Sequence, residues 1–133
     1  NGPIVSVDFF KSVVTPRYKR INAKLKAHGI ELWYTDCDGD VRPILPYLLE
    51  GGINCLFPYE VNSCSHPGEL LAEYGKELRI MGGVDKMELG KGPGAIKAYL
   101  ETLVPVVERG GLHPLLRSPL PSQCKTGGLF VLP

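Results

Sequence analysis

The sequence has almost no net charge. Fifteen Lys and Arg stand against fourteen Asp and Glu in 133 residues, a formal charge of +1. Without a Lys/Arg excess to neutralise phosphates, a nucleic-acid partner is excluded. No apolar run approaches the roughly 20 residues needed to span a bilayer, so no membrane partner is expected. The opening Asn1-Gly2-Pro3-Ile4 has no basic n-region and no apolar h-region, which predicts no signal peptide and a cytoplasmic chain. The four cysteines, Cys37, Cys55, Cys64 and Cys124, form no C-x-x-C pair and are expected as free thiols in a reducing compartment. No H-x-x-x-H or H-E-x-x-H spacing supports a zinc hydrolase, no serine sits in a G-x-S-x-G elbow, and no Gly-rich phosphate loop follows the first expected strand.

Glycine and proline, in contrast, are plentiful at sixteen and twelve. They have no period of three, so collagen is excluded, and they fall where helices and strands should end. Asp8 to His28 reads as a helix with Phe10, Val14, Tyr18, Ile21 and Leu25 on one side, broken or kinked near Thr15 by Pro16 and closed by Gly29. Residues 30–35 read as a strand. Asp40 is placed to cap a helix running to Glu50, and Ile53 to Phe57 is an apolar strand in which Cys55 is a small core hydrophobe. Ser65 is placed to cap a third helix ending at Gly75, and Leu78 to Met81 is the third strand. Pro93 opens a helix whose expected inward stripe is Ile96, Tyr99, Leu100, Leu103, Val104 and Val107. Leu112 to Leu116 is the fourth strand.

This alternation predicts an α/β fold with parallel strands. Asp36, Glu60 and Asp85 each follow a strand, 24 and 25 residues apart. That interval is the rhythm of a (β/α)8 barrel, which needs about 250 residues, so four βα units make half of one. The alternative is an open doubly wound sheet.

In such folds chemistry collects at the C-terminal ends of the strands. Asp36 and Asp38 point the same way along an extended chain and suit a divalent cation or an acid–base pair; as structural groups they would instead bond to nearby turns. Glu60 follows an apolar strand and is either a ligand or a salt-bridge partner. Asp85 and Lys86 follow the paired Gly82-Gly83. Arg117, after the last strand, is either a grip for a carboxylate or phosphate or a surface charge.

Several of these segments, in order, resemble the C-terminal part of the uroporphyrinogen decarboxylase superfamily. They are Asn1-Gly2-Pro3 with Pro16 to Arg20, Asp36-x-Asp38-Gly39-Asp40, Pro58-x-Glu60-Val61, and Tyr74-Gly75-Lys76 leading into Gly82-Gly83-Val84-Asp85-Lys86. Gly110-Gly111-Leu112-His113-Pro114 resembles the family's final barrel strand. The resemblance covers residues 1–123 and leaves 124–133 as an atypical tail without the amphipathic closing helix of the family. It implies a C-terminal half-barrel, a small-molecule substrate, and either cofactor-free carboxy-lyase chemistry or corrinoid-linked methyl transfer with a partner corrinoid protein.

In the methyltransferases a His-x-Cys-Gly motif binds zinc. Here Asp36 and Asp38 stand in the His and Cys places, so a divalent metal such as Zn2+ would fall to Asp36, Asp38 and Glu60, and harder cations would suit them too. The Asp-x-Asp-Gly form looks nearest the methyltransferase-like, demethylase-related branch. The resemblance implies Asp36, Asp38, Glu60 and Asp85 as catalytic groups and Lys86 and Arg117 as substrate contacts. Arg117 and Ser118 replace that branch's Asp-His. The missing opening Met and the unmatched tail predict a fragment of a longer protein, incomplete in activity. Its open strand edges would be covered by an N-terminal half-barrel or by a second copy in a homodimer.

Overall fold

The computed structural model describes residues 4–115, apart from the side chain of Leu115; Arg117, Cys124 and the atypical tail lie outside the described residues. The chain alternates helix and strand, as the sequence predicts. A helical stretch comprises α1 (Val7–Phe9), a π-helical turn (Phe10–Val14) and α2 (Thr15–Lys26). Then come β1 (Tyr34–Asp36), α3 (Leu45–Glu50), β2 (Cys55–Tyr59), α4 (Pro67–Tyr74), β3 (Arg79–Gly83), α5 (Pro93–Arg109) and β4 (Leu112–Leu115). No helix among the described residues is long and apolar enough to cross a membrane.

The four strands form one parallel sheet in the order β1-β2-β3-β4. Among the described residues the order never reverses, so these four strands contain no switch point of a doubly wound fold. Crossovers of one hand then keep the helices on one face, and burial agrees. Thr35, Leu56, Ile80 and Leu112 lie in one register row. Leu56, Ile80 and Leu112 in that row are buried together with Leu70 and Leu71 of α4 and Leu103 of α5. In the alternate rows Tyr34 and Arg79 are exposed and Phe57 and Met81 half-buried, while Cys55 on the inner strand β2 is buried.

Local chemistry explains where the elements start and stop. Pro16 does interrupt the first helix, but as a widened turn rather than a break. Pro16 has no N–H for the Ser12 carbonyl, and its ring would crowd that carbonyl. The turn just before it opens to π spacing, with the Thr15 N–H donating to the Phe10 carbonyl. At the other end Gly29, at φ +77°, closes a Schellman motif. Its N–H donates to the Lys26 carbonyl at 3.0 Å and that of Ile30 to the Leu25 carbonyl at 3.2 Å.

Two buried polar residues hold α2 against α3. Thr15 Oγ1 donates to the Tyr47 carbonyl at 3.2 Å, and Asn22 Nδ2 donates to the Gly51 carbonyl. These carbonyls belong to the C-terminal end of a six-residue helix, where few intrahelical partners exist.

Several boundaries differ from the sequence reading. β1 begins at Tyr34 instead of residue 30, because the side chain of Asn54 takes the place of ladder bonds before it. Its Oδ1 accepts from the Trp33 N–H at 2.8 Å, and its Nδ2 donates to the Glu31 carbonyl at 2.7 Å. α3 begins at Leu45. Asp40 caps only the turn before it, accepting from the Arg42 N–H at 3.1 Å. His66, not Ser65, is the N-cap of α4: its Nδ1 accepts from the Gly68 N–H at 3.2 Å. The inward stripe of α5 is also narrower than predicted. Leu103 is buried and Ile96, Tyr99 and Val106 half-buried, whereas Leu100, Val104 and Val107 are exposed.

Candidate functional site

β2 and β3 end side by side, and the loops leaving them enclose a cavity of about 140 Å3. Gly82 makes this possible. It sits in β3 at φ +120°, and a Cβ there would lie 2.6 Å from the Tyr59 backbone nitrogen, so only glycine lets the two strand ends approach. Tyr59 is buried, and its hydroxyl donates to the Ser65 carbonyl at 3.0 Å, which folds the β2 loop back over the strand.

Of the residues singled out by the sequence, Glu60 and Lys86 line this cavity. Both are half-buried. Glu60 Oε2 accepts from Ser63 Oγ at 3.5 Å. Asp85 stands just behind the wall. Its Oδ1 accepts from Asn62 Nδ2 at 3.1 Å and from the Met87 N–H at 2.8 Å, so it ties the β2 loop to the β3 loop. The Asp85 backbone is itself fixed by α5: its N–H donates to the Tyr99 hydroxyl at 2.8 Å, and that hydroxyl donates to the Gly83 carbonyl at 3.3 Å. Asp85 is therefore a positioning group for the cavity rather than a lining one.

Asp36 and Asp38 are not brought to the cavity wall. Asp36 ends β1 in register with Phe57, and both carboxylates are exposed. Among the described residues no three His, Cys, Asp or Glu side chains converge as a metal-ligand set. The chain's described residues thus do not fit a closed three-ligand zinc site. They suit at most a hydrated hard cation held by one or two carboxylates.

The loop after β1 instead builds an ion pair. Arg42 donates Nε to Asp40 Oδ1 at 2.8 Å and Nη2 to Asp40 Oδ2 at 2.7 Å. This hydrogen bonding holds the Asp40 carboxyl down at about 2, although burial pulls the other way. Cys64 Sγ donates to the Gly39 carbonyl at 3.1 Å in the same loop. Burial pushes the thiols of Cys37, Cys55 and Cys64 up, which makes them poor nucleophiles.

Reading the sequence for ionisable groups missed Asn62, Ser63 and Tyr99. The polar pair Asn62-Ser63, two residues after an acid at a strand end, was the available signal. Tyr99 falls on an apolar stripe, where its hydroxyl leaves no pattern. No family model matches the chain, and no curated protein or solved structure is similar to it.

Proposed function

We propose that this chain is the C-terminal half-barrel of a uroporphyrinogen decarboxylase-like enzyme, nearest the corrinoid-linked methyltransferase-like branch, with its site at the C-terminal ends of the strands. One observation carries the reading. Four parallel strands run in sequence order, and the two central ones end at a cavity lined by a carboxylate, Glu60, and a cation, Lys86. Sequential parallel strands are the arrangement of one arc of a (β/α)8 barrel, where substrates bind at that end.

The Asp36-x-Asp38-Gly39 segment, standing where the methyltransferases have His-x-Cys-Gly, supports the methyltransferase-like branch, with a true porphyrinogen carboxy-lyase as the alternative. In this reading Glu60 handles a proton or orients the substrate, Asp85 fixes the two loops, and Lys86 meets substrate charge. Asp36 and Asp38 would hold a hydrated divalent cation near the mouth, and a corrinoid carried by a partner protein would supply the methyl-transfer chemistry. Free thiols at Cys37, Cys55 and Cys64 support a reducing cytoplasm.

Titration calorimetry with Mn2+, Mg2+ and Zn2+ tests the metal. The reading expects saturable binding weakened at least about tenfold by Asp38→Ala; absence of binding for all three ions removes the metal from it.

A second reading, an inactive half-barrel completed by a second copy, is favoured by a different observation. Apart from Met87, every exposed large hydrophobic side chain described lies on the α1–α2–β1 side or on α5, the two flanks that ring closure would cover. Sedimentation at micromolar concentration separates the two: a dimer supports this reading, and a strict monomer rejects it.

A further inference from the structure

Two of the three described cysteines meet at the same end of the sheet. Cys37 follows β1, and its N–H donates to the Phe57 carbonyl at 3.2 Å, which extends the β1–β2 pairing by one residue. Alternation along the strand places its side chain with that of Thr35, on the face the helices cover. Burial agrees: Trp33, Thr35 and Cys37 are half-buried, whereas Tyr34, Asp36 and Asp38 are exposed. Cys64 leaves the β2 loop two residues before His66, the N-cap of one of those helices, α4.

From there Cys64 Sγ reaches across to the β1 loop and donates to the Gly39 carbonyl at 3.1 Å. Cys37 Sγ lies 3.9 Å from the Asp38 carbonyl oxygen, so the two sulfurs approach consecutive carbonyls of one short loop. Both side chains pack against the same hydrophobic core. Their nearness is also felt electrostatically: burial raises the Cys37 thiol most, and Cys64 raises it next. Cys55, by contrast, is enclosed in β2 with its sulfur towards the Leu56 carbonyl at 3.7 Å. A disulfide needs α-carbons about 4.4–6.8 Å apart, and the loop bearing Cys37 bends at Gly39, at φ +80°, where the backbone is free to adjust to that span.

We propose that Cys37 and Cys64 form a reversible disulfide that fastens the β1 loop to the β2 loop and fixes the cavity wall at Asn62 and Ser63, the residues leading into Cys64. The oxidant is a low-molecular-weight disulfide. The Cys37 thiolate attacks one of its sulfurs, that S–S bond breaks, and the first thiol leaves with the proton that Cys37 gave up. The Cys64 thiolate then attacks the Cys37 sulfur of the mixed disulfide, and the second thiol leaves in the same way. Two electrons pass from the protein pair to the small disulfide, and excess thiol reverses the exchange. The bond needs only the fold and is independent of the reaction the strand ends serve.

The test equilibrates the full chain with oxidised and reduced glutathione, over hours because burial slows both thiols, and blocks the remaining thiols with N-ethylmaleimide. Cleavage after glutamate then puts Cys37, Cys55 and Cys64 in the separate peptides 32–50, 51–60 and 61–69. Mass spectrometry is expected to find 32–50 joined to 61–69, two hydrogens lighter than the reduced pair and separated again by dithiothreitol. At one glutathione ratio, the bridged-to-open ratio of the folded chain should exceed that of the chain in concentrated urea by at least about tenfold, because the fold holds the thiols together. Cys124→Ser should leave the bridge in place. Amide exchange at Ser63 and Cys64 should slow at least about tenfold on oxidation, with α5 unchanged.

Glutathione adducts without the bridge, a bridge to Cys55 or Cys124 in its place, or a ratio no higher in the folded chain than in urea overturns the proposal. Unchanged exchange at Ser63 and Cys64 in the bridged chain overturns its link to the cavity.

Discussion

The middle of this sheet and its two flanks are built differently. From α3 through β3 the apolar groups are enclosed: Leu45, Leu48, Leu56, Leu71, Leu78 and Ile80 are all buried, and no large hydrophobic residue in that stretch is exposed. On the flanks the same residue types face outward. Phe9, Ile21, Ile30, Leu32 and Tyr34 are exposed on the β1 side, and Leu100, Val104 and Val107 on the β4 side. The indole N–H of Trp33, at the entry to β1, is buried without an acceptor among the described residues. The centre is thus a finished core, while the flanks carry apolar surface that a neighbour would remove from water. The candidate cavity belongs to the finished part, since both of its walls come from β2, β3 and the loops that leave them.

Substitutions can sharpen this contrast. The largest effect is expected at the centre. Ile80→Ala removes a side chain with 0% exposure and should lower unfolding free energy by about 2–5 kcal/mol in urea denaturation. Leu100→Ala on the flank should cost less than about 1 kcal/mol in the isolated chain; equal losses at the two sites would erase the distinction.

Gly82→Ala comes next. A Cβ 2.6 Å from the Tyr59 nitrogen, at a φ that L-residues avoid, should destabilise by about 2–3 kcal/mol and displace the cavity wall. The wall movement is expected as chemical-shift changes at Glu60 and Lys86 by NMR.

Asn54→Ala removes both anchors of the β1 approach and should cost about 1–2 kcal/mol. Amide exchange should rise at Trp33 and stay unchanged in β3. If exchange rises in β3 as well, the flank is not separable from the centre.

The smallest effect concerns acid. Asp40 ionises at about 2 in the folded chain against an ordinary value of 3.8, so its contribution is present above about pH 4 and is lost as the pH falls towards 2. Arg42→Met should remove that contribution, lowering stability above about pH 4 and flattening the loss between about pH 4 and 2, so that variant and parent converge near pH 2. Thermal melts across the pH series check it.

Much of the order of elements was legible because it rests on local chemistry. Gly29, Gly75 and Gly110 end helices at positive φ, and Pro67 and Pro93 begin them. The parallel sheet follows from helices regularly separating short apolar segments. Boundaries were less legible where a side chain substitutes for a backbone bond, as Asn54 does before β1 and His66 does at α4. Such contacts join residues up to 23 apart and leave no periodicity.

The site divides in the same way. Glu60 and Lys86 could be named from their places after strands. Asp36 and Asp38 have the same kind of place, yet they end on an outer strand with exposed side chains and do not reach the cavity wall. Tyr99 entered the site only through partners on another element, and Asn62, itself in the cavity wall, is tied there to Asp85.

By itself, then, the sequence determined the alternation of helix and strand, the near-neutral charge and the carboxylates at strand ends, since these depend on residue type and short-range spacing. Tertiary structure decided which strand ends meet, which face of α5 is covered, and that Glu60 and Lys86 line one cavity. Those outcomes depend on sheet order and on the close approach at Gly82, which bring together residues that no local pattern connects.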